Sequence, residues 1–144
     1  MLPILKKMIS TSGDGSRASD VGVLLLRVFI GLSMAFAHGM AKFPMSEQMI
    51  SGVASLGFPM PEVFAHLAAL AELVGGLLLA AGLLARPAAA FMAITMGVAA
   101  FAVHAADPFQ VKELAFLYLF VSLFFVLHGA GRISLDFILQ KKCK

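Results

Sequence analysis

Four stretches of about twenty predominantly apolar residues, at 21–39, 61–85, 87–106 and 112–130, dominate this chain. Each matches the ~20 residues that a helix needs to cross a hydrocarbon core ~30 Å thick. Helices are the required form. Lipid offers no partner to free backbone groups, and the alternation that marks a transmembrane barrel strand is absent. With 60% hydrophobic and only 13% charged residues in 144, the chain lacks the polar surface that a water-soluble domain of this size needs. Once the spans are removed, nothing remains that is long enough to bury a core of its own. The expected architecture is all-α: an integral membrane bundle of four transmembrane helices over 21–132, preceded by an arm at 1–20 and followed by a basic tail at 133–144.

The cations collect at the ends of the spans. The arm holds Lys6, Lys7 and Arg17, the second connection holds Arg86, and the tail holds Arg132, Lys141, Lys142 and Lys144. The other two connections offer only Lys42 and Lys112. This asymmetry predicts cytoplasmic termini in a bacterial-type inner membrane. It also explains the net charge of +3 through headgroups and topology, so nucleic acid is not an expected partner. The arm lacks an apolar run directly after its lysines, so it does not read as a signal peptide. Residues 1–9 are expected on the membrane surface, and Ser19 or Asp20 is placed to cap the first helix.

The connection at 40–60 has a pattern of its own. Ser46 can cap a short helix in which Met49, Ile50, Val53 and Leu56 recur at helical spacing, and Gly57 stops it. This predicts a short amphipathic helix lying across the outer end of the bundle. A tight turn is expected at Arg86-Pro87, with Pro87 suited to the first turn of span three.

Ionisable residues within the spans are costly, which makes them functional candidates. Arg27 lies about two turns into span one. His38 lies eleven residues further on, three helical turns along the same face, and Lys42 continues that face into the loop. Glu72 sits near the middle of span two, flanked by Ala65, Ala68, Ala69, Gly75 and Gly76, a strip that lets another helix approach closely. An interior carboxylate protonates or pairs, and Arg27 is its expected partner. His38, His66 and His104 share the outer ends of their spans, with Asp107, Lys112 and Glu113 nearby. They are weak candidates for a metal site, because no two have local ligand spacing. Single histidines at an interface more commonly bond backbone or water. The sole cysteine, Cys143, allows no internal disulfide and no Cys-x-x-Cys site. Span four carries Phe116, Tyr118, Phe120, Phe124 and Phe125, a wall for a flat ring or a partner helix, or ordinary packing and lipid-facing aromatics.

Leu24-Leu25-Leu26-Arg27 with Gly31, His38-Gly39 and Lys42-Phe43 resembles the opening of the DoxX family of small four-helix membrane proteins. Gly57-Phe58-Pro59 is similar to that family's lead into helix two. Ala71-Glu72-Leu73-Val74-Gly75-Gly76 with Gly82 is similar to its helix-two motif, and His104 falls where helix three often has a histidine. The resemblance implies a setting among membrane oxidoreductases, quinone-linked systems and thiol stress. It makes a quinone the cofactor to consider, with Arg27, His38, Lys42, Glu72 and His104 as ligand- or proton-handling candidates. The chain has no flavin motif, cysteine pair or haem-attachment sequence, so electrons must reach it from elsewhere. Its expected partners are the bilayer and a membrane oxidoreductase or a second copy of itself. Two other roles stay open: a scaffold that docks a partner through span four, and a small proton-coupled transporter using Glu72.

Overall fold

Ser16 is extended and its hydroxyl accepts from the Ser19 N–H at 3.1 Å, which starts the first helix one turn earlier than Ser19 or Asp20 would. A computed structural model describes residues 16–143. The expectations for Lys6, Lys7, the 1–9 segment and Lys144 fall outside the described residues. Helix α1 runs Arg17–Ser33 and continues without a break through a π-helical segment, Met34–Gly39, and a 3-10 turn, Met40–Lys42. After the cis Phe43–Pro44 bond, α2 spans Glu47–Ser55. Its Ser46 cap accepts from the Met49 N–H at 3.2 Å, as the sequence predicts.

The remaining spans are α3 (Pro61–Ala81), α4 (Ala85–Val98, extended by a second π segment at Ala99–Val103) and α5 (Phe109–His128). Four helices are long and apolar enough to cross a bilayer, and the described residues contain no strand. The protein is an all-α, multi-pass membrane bundle. α1 packs on α3, α3 on α4, and α4 on α5, while α2 lies against α3. The core is small, built from Ile30, Met34, Leu79, Met92, Met96, Tyr118 and Phe125. Large apolar side chains such as Phe29, Ile94, Phe120 and Leu127 point outward around the bundle. Water would penalise such a surface, whereas lipid accepts it.

The α3–α4 turn lies at Gly82–Leu84 and not at Arg86-Pro87. Gly82 takes the left-handed conformation that ends α3, and its N–H returns to Leu79. Pro87 does fall in the first turn of α4, and Arg86 reaches across to the Val126 carbonyl of α5. The tail is more than a basic extension. Ser134 caps a further helix, α6 (Leu135–Lys142), by accepting from the Phe137 N–H.

Candidate functional site

The two buried charges of the spans do not meet each other. Gly31 lies level with Gly76 and Ala80, and Gly39 lies level with Leu73 and Glu72, so α1 and α3 run antiparallel in close contact. Arg27 is therefore twelve residues below the level of Glu72, about 18 Å along the helix. The expected Arg27–Glu72 pair is ruled out by this offset. Arg27 instead turns to the end of the bundle that holds α6. Its Nη1 donates to the Ala130 carbonyl at 2.9 Å, and its Nη2 donates to the Ile133 carbonyl at 3.0 Å. Asp136 is the acid near it. That carboxylate, 1% exposed, accepts from the Leu84 and Ala85 N–H groups at 2.8 and 3.0 Å. It caps the start of α4 from the far end of the chain, and the Asp136 N–H donates to the Gly82 carbonyl. Burial pushes the Asp136 carboxyl above its ordinary range, against the two backbone N–H groups and the charges of Arg27 and Arg86. The arrangement joins α1, the α3–α4 turn and α6 into one knot.

At the α2 end, the partner of Glu72 is Lys42, whose Nζ donates to Glu72 Oε1. The π-helical turn at Met34–Gly39 lies between Arg27 and Lys42. Its i→i+5 bonding widens the helix and breaks the regular angular progression, so Lys42 does not follow the face extrapolated from Arg27. Glu72 is 1% exposed while the Lys42 side chain is 28% exposed, so the pair spans the boundary between bundle interior and mouth. Glu72 Oε2 is buried with no hydrogen-bond partner. Such an unmet acceptor is costly where water is scarce.

Both members of this pair line an apolar groove of about 730 Å³, within the usual size of a small-molecule site, which runs along α3 from Phe64 past Glu72 to Leu78. α3 and α4 form its walls with Leu67, Val74, Phe91 and Val98 among the lining residues, and Met49, Val53 and Leu56 of α2 form its roof. The amphipathic pattern of α2 thus serves to cover a groove. Small residues of α3 and α4, including Ala68, Ala71, Gly75 and Ala88, make the space. The groove opens sideways, towards lipid.

His38 is close by but faces another way, edge-on to Tyr118 of α5 with ring centroids 5.2 Å apart. Tyr118 lies against Ser33 and within electrostatic reach of Glu72. His104 sits at the end of the second π segment, with Nδ1 2.7 Å from Asp107 Oδ2. His66 Nδ1 meets the Glu62 carbonyl one turn back. The structure therefore brings Lys42 and Glu72 together and leaves Arg27, His38 and His104 with other partners. Among the described residues, no three His, Cys, Asp or Glu side chains converge as a metal site would require. The aromatics of span four do not line the groove. Tyr118 and Phe125 are core, Phe116 packs on Phe101 and Phe109, and Phe120 faces outward. Sequence reasoning missed which backbone groups Asp136 caps, and it missed Tyr118 as a neighbour of His38. The pattern Ser134-x-Asp136 after Gly129 and Gly131 was the available signal for a capped turn.

Residues 22–105, which contain most of α1, all of α2 to α4 and both members of the ion pair, match the DoxX family model. The chain belongs to the DoxX family. Among curated relatives, this DoxX protein is 34% identical to "Putative oxidoreductase CatD" of Bacillus subtilis (strain 168), over 84% of its own length and 89% of the relative. An uncharacterised protein of Haemophilus influenzae is 38% identical over 77% of this chain and 85% of that protein. A second from the same organism is 29% identical over 85% and 86%. No solved structure gives a significant match.

Proposed function

We propose that this DoxX protein is a quinone-handling subunit of a membrane redox system, holding the ring at Lys42 and Glu72 and the tail in the α3–α4 groove. One observation carries the reading: a charge-balanced pair with an unpartnered acceptor, Glu72 Oε2, lines a lipid-facing apolar groove. A membrane-soluble molecule with a polar ring and an apolar tail has that shape and polarity. The name of the Bacillus relative supports a redox setting. Electron transfer would rely on a partner oxidoreductase, since the sequence carries no cysteine pair, flavin motif or haem-attachment sequence. The termini and α6 belong in the cytoplasm, with the mouth under α2 on the outer face of a bacterial-type inner membrane.

The test is binding by full-length protein in mild detergent. A quinone with an isoprenoid tail should raise the melting temperature, with a gain of about 2.7 kcal/mol at a hundred times Kd. Ala71→Phe, which fills the groove without touching the pair, should abolish the gain. A wild-type melt unmoved by both quinones and quinols of any tail length sinks the proposal.

A second reading rests on a different surface. Leu117, Phe120, Phe124 and Leu127 form an exposed apolar face on α5, suited to a partner's transmembrane helix in a scaffold role. Co-purification at native expression tests it, and recovery of the lone monomer counts against it.

A further inference from the structure

The vacant oxygen of Glu72 bears on which form of the ligand the groove selects, an inference that rests on the quinone reading above. An ionised carboxylate can only accept hydrogen bonds. Lys42 occupies Oε1, whereas Oε2 is buried and unpartnered, and both residues line the groove. A ligand satisfies it only by bringing a donor. The oxidised quinone ring carries two carbonyls, which are acceptors, and would set oxygen against oxygen. The reduced ring carries two hydroxyls, and one of them can donate to Oε2.

Charge narrows the choice further. Lys42 already balances Glu72, so a phosphate or ammonium head would enter an apolar space with its charge uncompensated. Tyr118, within electrostatic reach of Glu72, lies against Ser33, and His38 packs edge-on to Tyr118. The head that fits is neutral and carries a hydroxyl. The groove walls beyond it, Leu67, Val74, Phe91, Ile94 and Val98, suit an apolar tail.

We propose that the Lys42–Glu72 site selects the reduced, hydroxyl-bearing quinol over the oxidised quinone. A charge-assisted hydrogen bond is gained by one form and denied to the other, so the affinities should differ by at least about tenfold. Glu72→Gln replaces one acceptor with an amide N–H donor, which suits a quinone carbonyl, and should erase or invert the preference.

The experiment compares four probes on detergent-solubilised full-length protein, kept anaerobic, by ligand-dependent melting. They are an isoprenoid benzoquinone, its quinol, the quinol's dimethyl ether and an isoprenoid alcohol with the same tail. The expected order places the quinol at least about tenfold ahead of the other three. The ether keeps the ring but replaces both donors with methoxy groups, while the quinone lacks the donors without added bulk, so weak binding by both decides the question in wild-type protein even where Glu72→Gln fails to fold. A quinone or ether that binds as tightly as the quinol overturns the selectivity while leaving the quinone reading intact. An alcohol equal to the quinol overturns the assignment to quinols, because a hydroxyl alone then suffices. Absence of binding by both ring forms overturns the underlying reading as well.

Discussion

Gly31 of α1 and Gly76 of α3 meet backbone to backbone: a Cβ placed on either would lie 2.6 Å from the other's carbonyl oxygen. No rotamer change relieves such a contact, because the obstacle is main chain. Gly31→Ala should therefore push the helices apart and cost about 3 kcal/mol, the upper end of overpacking. Gly22, whose added Cβ would meet nothing within 4 Å, is the control, and Gly22→Ala should be neutral to stabilising by up to about 1 kcal/mol, because Ala favours the helix. Thermal melting of the two variants in detergent checks the contrast.

Asp136 gives a prediction at the other end of the bundle. Asp136→Leu leaves the Leu84 and Ala85 N–H groups without their acceptor, which should cost about 2 kcal/mol or more, at about one or more per group. Burial raises the native pKa of Asp136, so the native state holds a proton in a window where the unfolded chain, near ~3.9, does not. Its contribution to stability therefore grows as pH falls from neutral through the native pKa, and levels off below the unfolded one. Asp136→Asn lacks this component. The wild-type minus Asp136→Asn difference in melting temperature should thus shift in favour of wild type on acidification.

Ser46 anchors the roof of the groove. Ser46→Ala removes the acceptor that starts α2 and should weaken that helix by about 1 kcal/mol. Hydrogen exchange of the Met49 and Ile50 amides should accelerate several-fold, while that of α3 amides near Leu79 stays unchanged.

The sole cysteine provides a test of topology. Cys143 is exposed just beyond α6. With cytoplasmic termini, a membrane-impermeant maleimide should label it in inverted vesicles and fail to label it in intact spheroplasts. The opposite pattern would reverse the proposed orientation.

Much of the scaffold was legible because lipid simplifies the rules. Span length, the Ser46 cap, the small-residue strip around Glu72 and the stop at Gly57 each follow from local chemistry. The charge pairing was not legible. A fixed 100° per residue carries the face of Arg27 onward to His38 and Lys42, but the π turn at Met34–Gly39 alters the progression partway. The axial level of Glu72 depends on where α1 and α3 cross, and that is set by Gly31, Gly39 and Gly76 together. The partners of Asp136 escaped for a related reason. Leu84 and Ala85 lie 52 and 51 residues away from it, beyond any local pattern. The groove is a product of three helices, and its lining residues are individually unremarkable alanines, leucines and valines.

The neutrality of the Lys42–Glu72 pair has an electrical consequence. A unit charge moved across a membrane at 100 mV changes energy by about 2.3 kcal/mol. An uncharged ring docking on a balanced ion pair carries no net charge through that field. Loading and emptying of the groove are then voltage-independent steps, and occupancy is set by the composition of the surrounding ligand pool and not by how strongly the cell is energised.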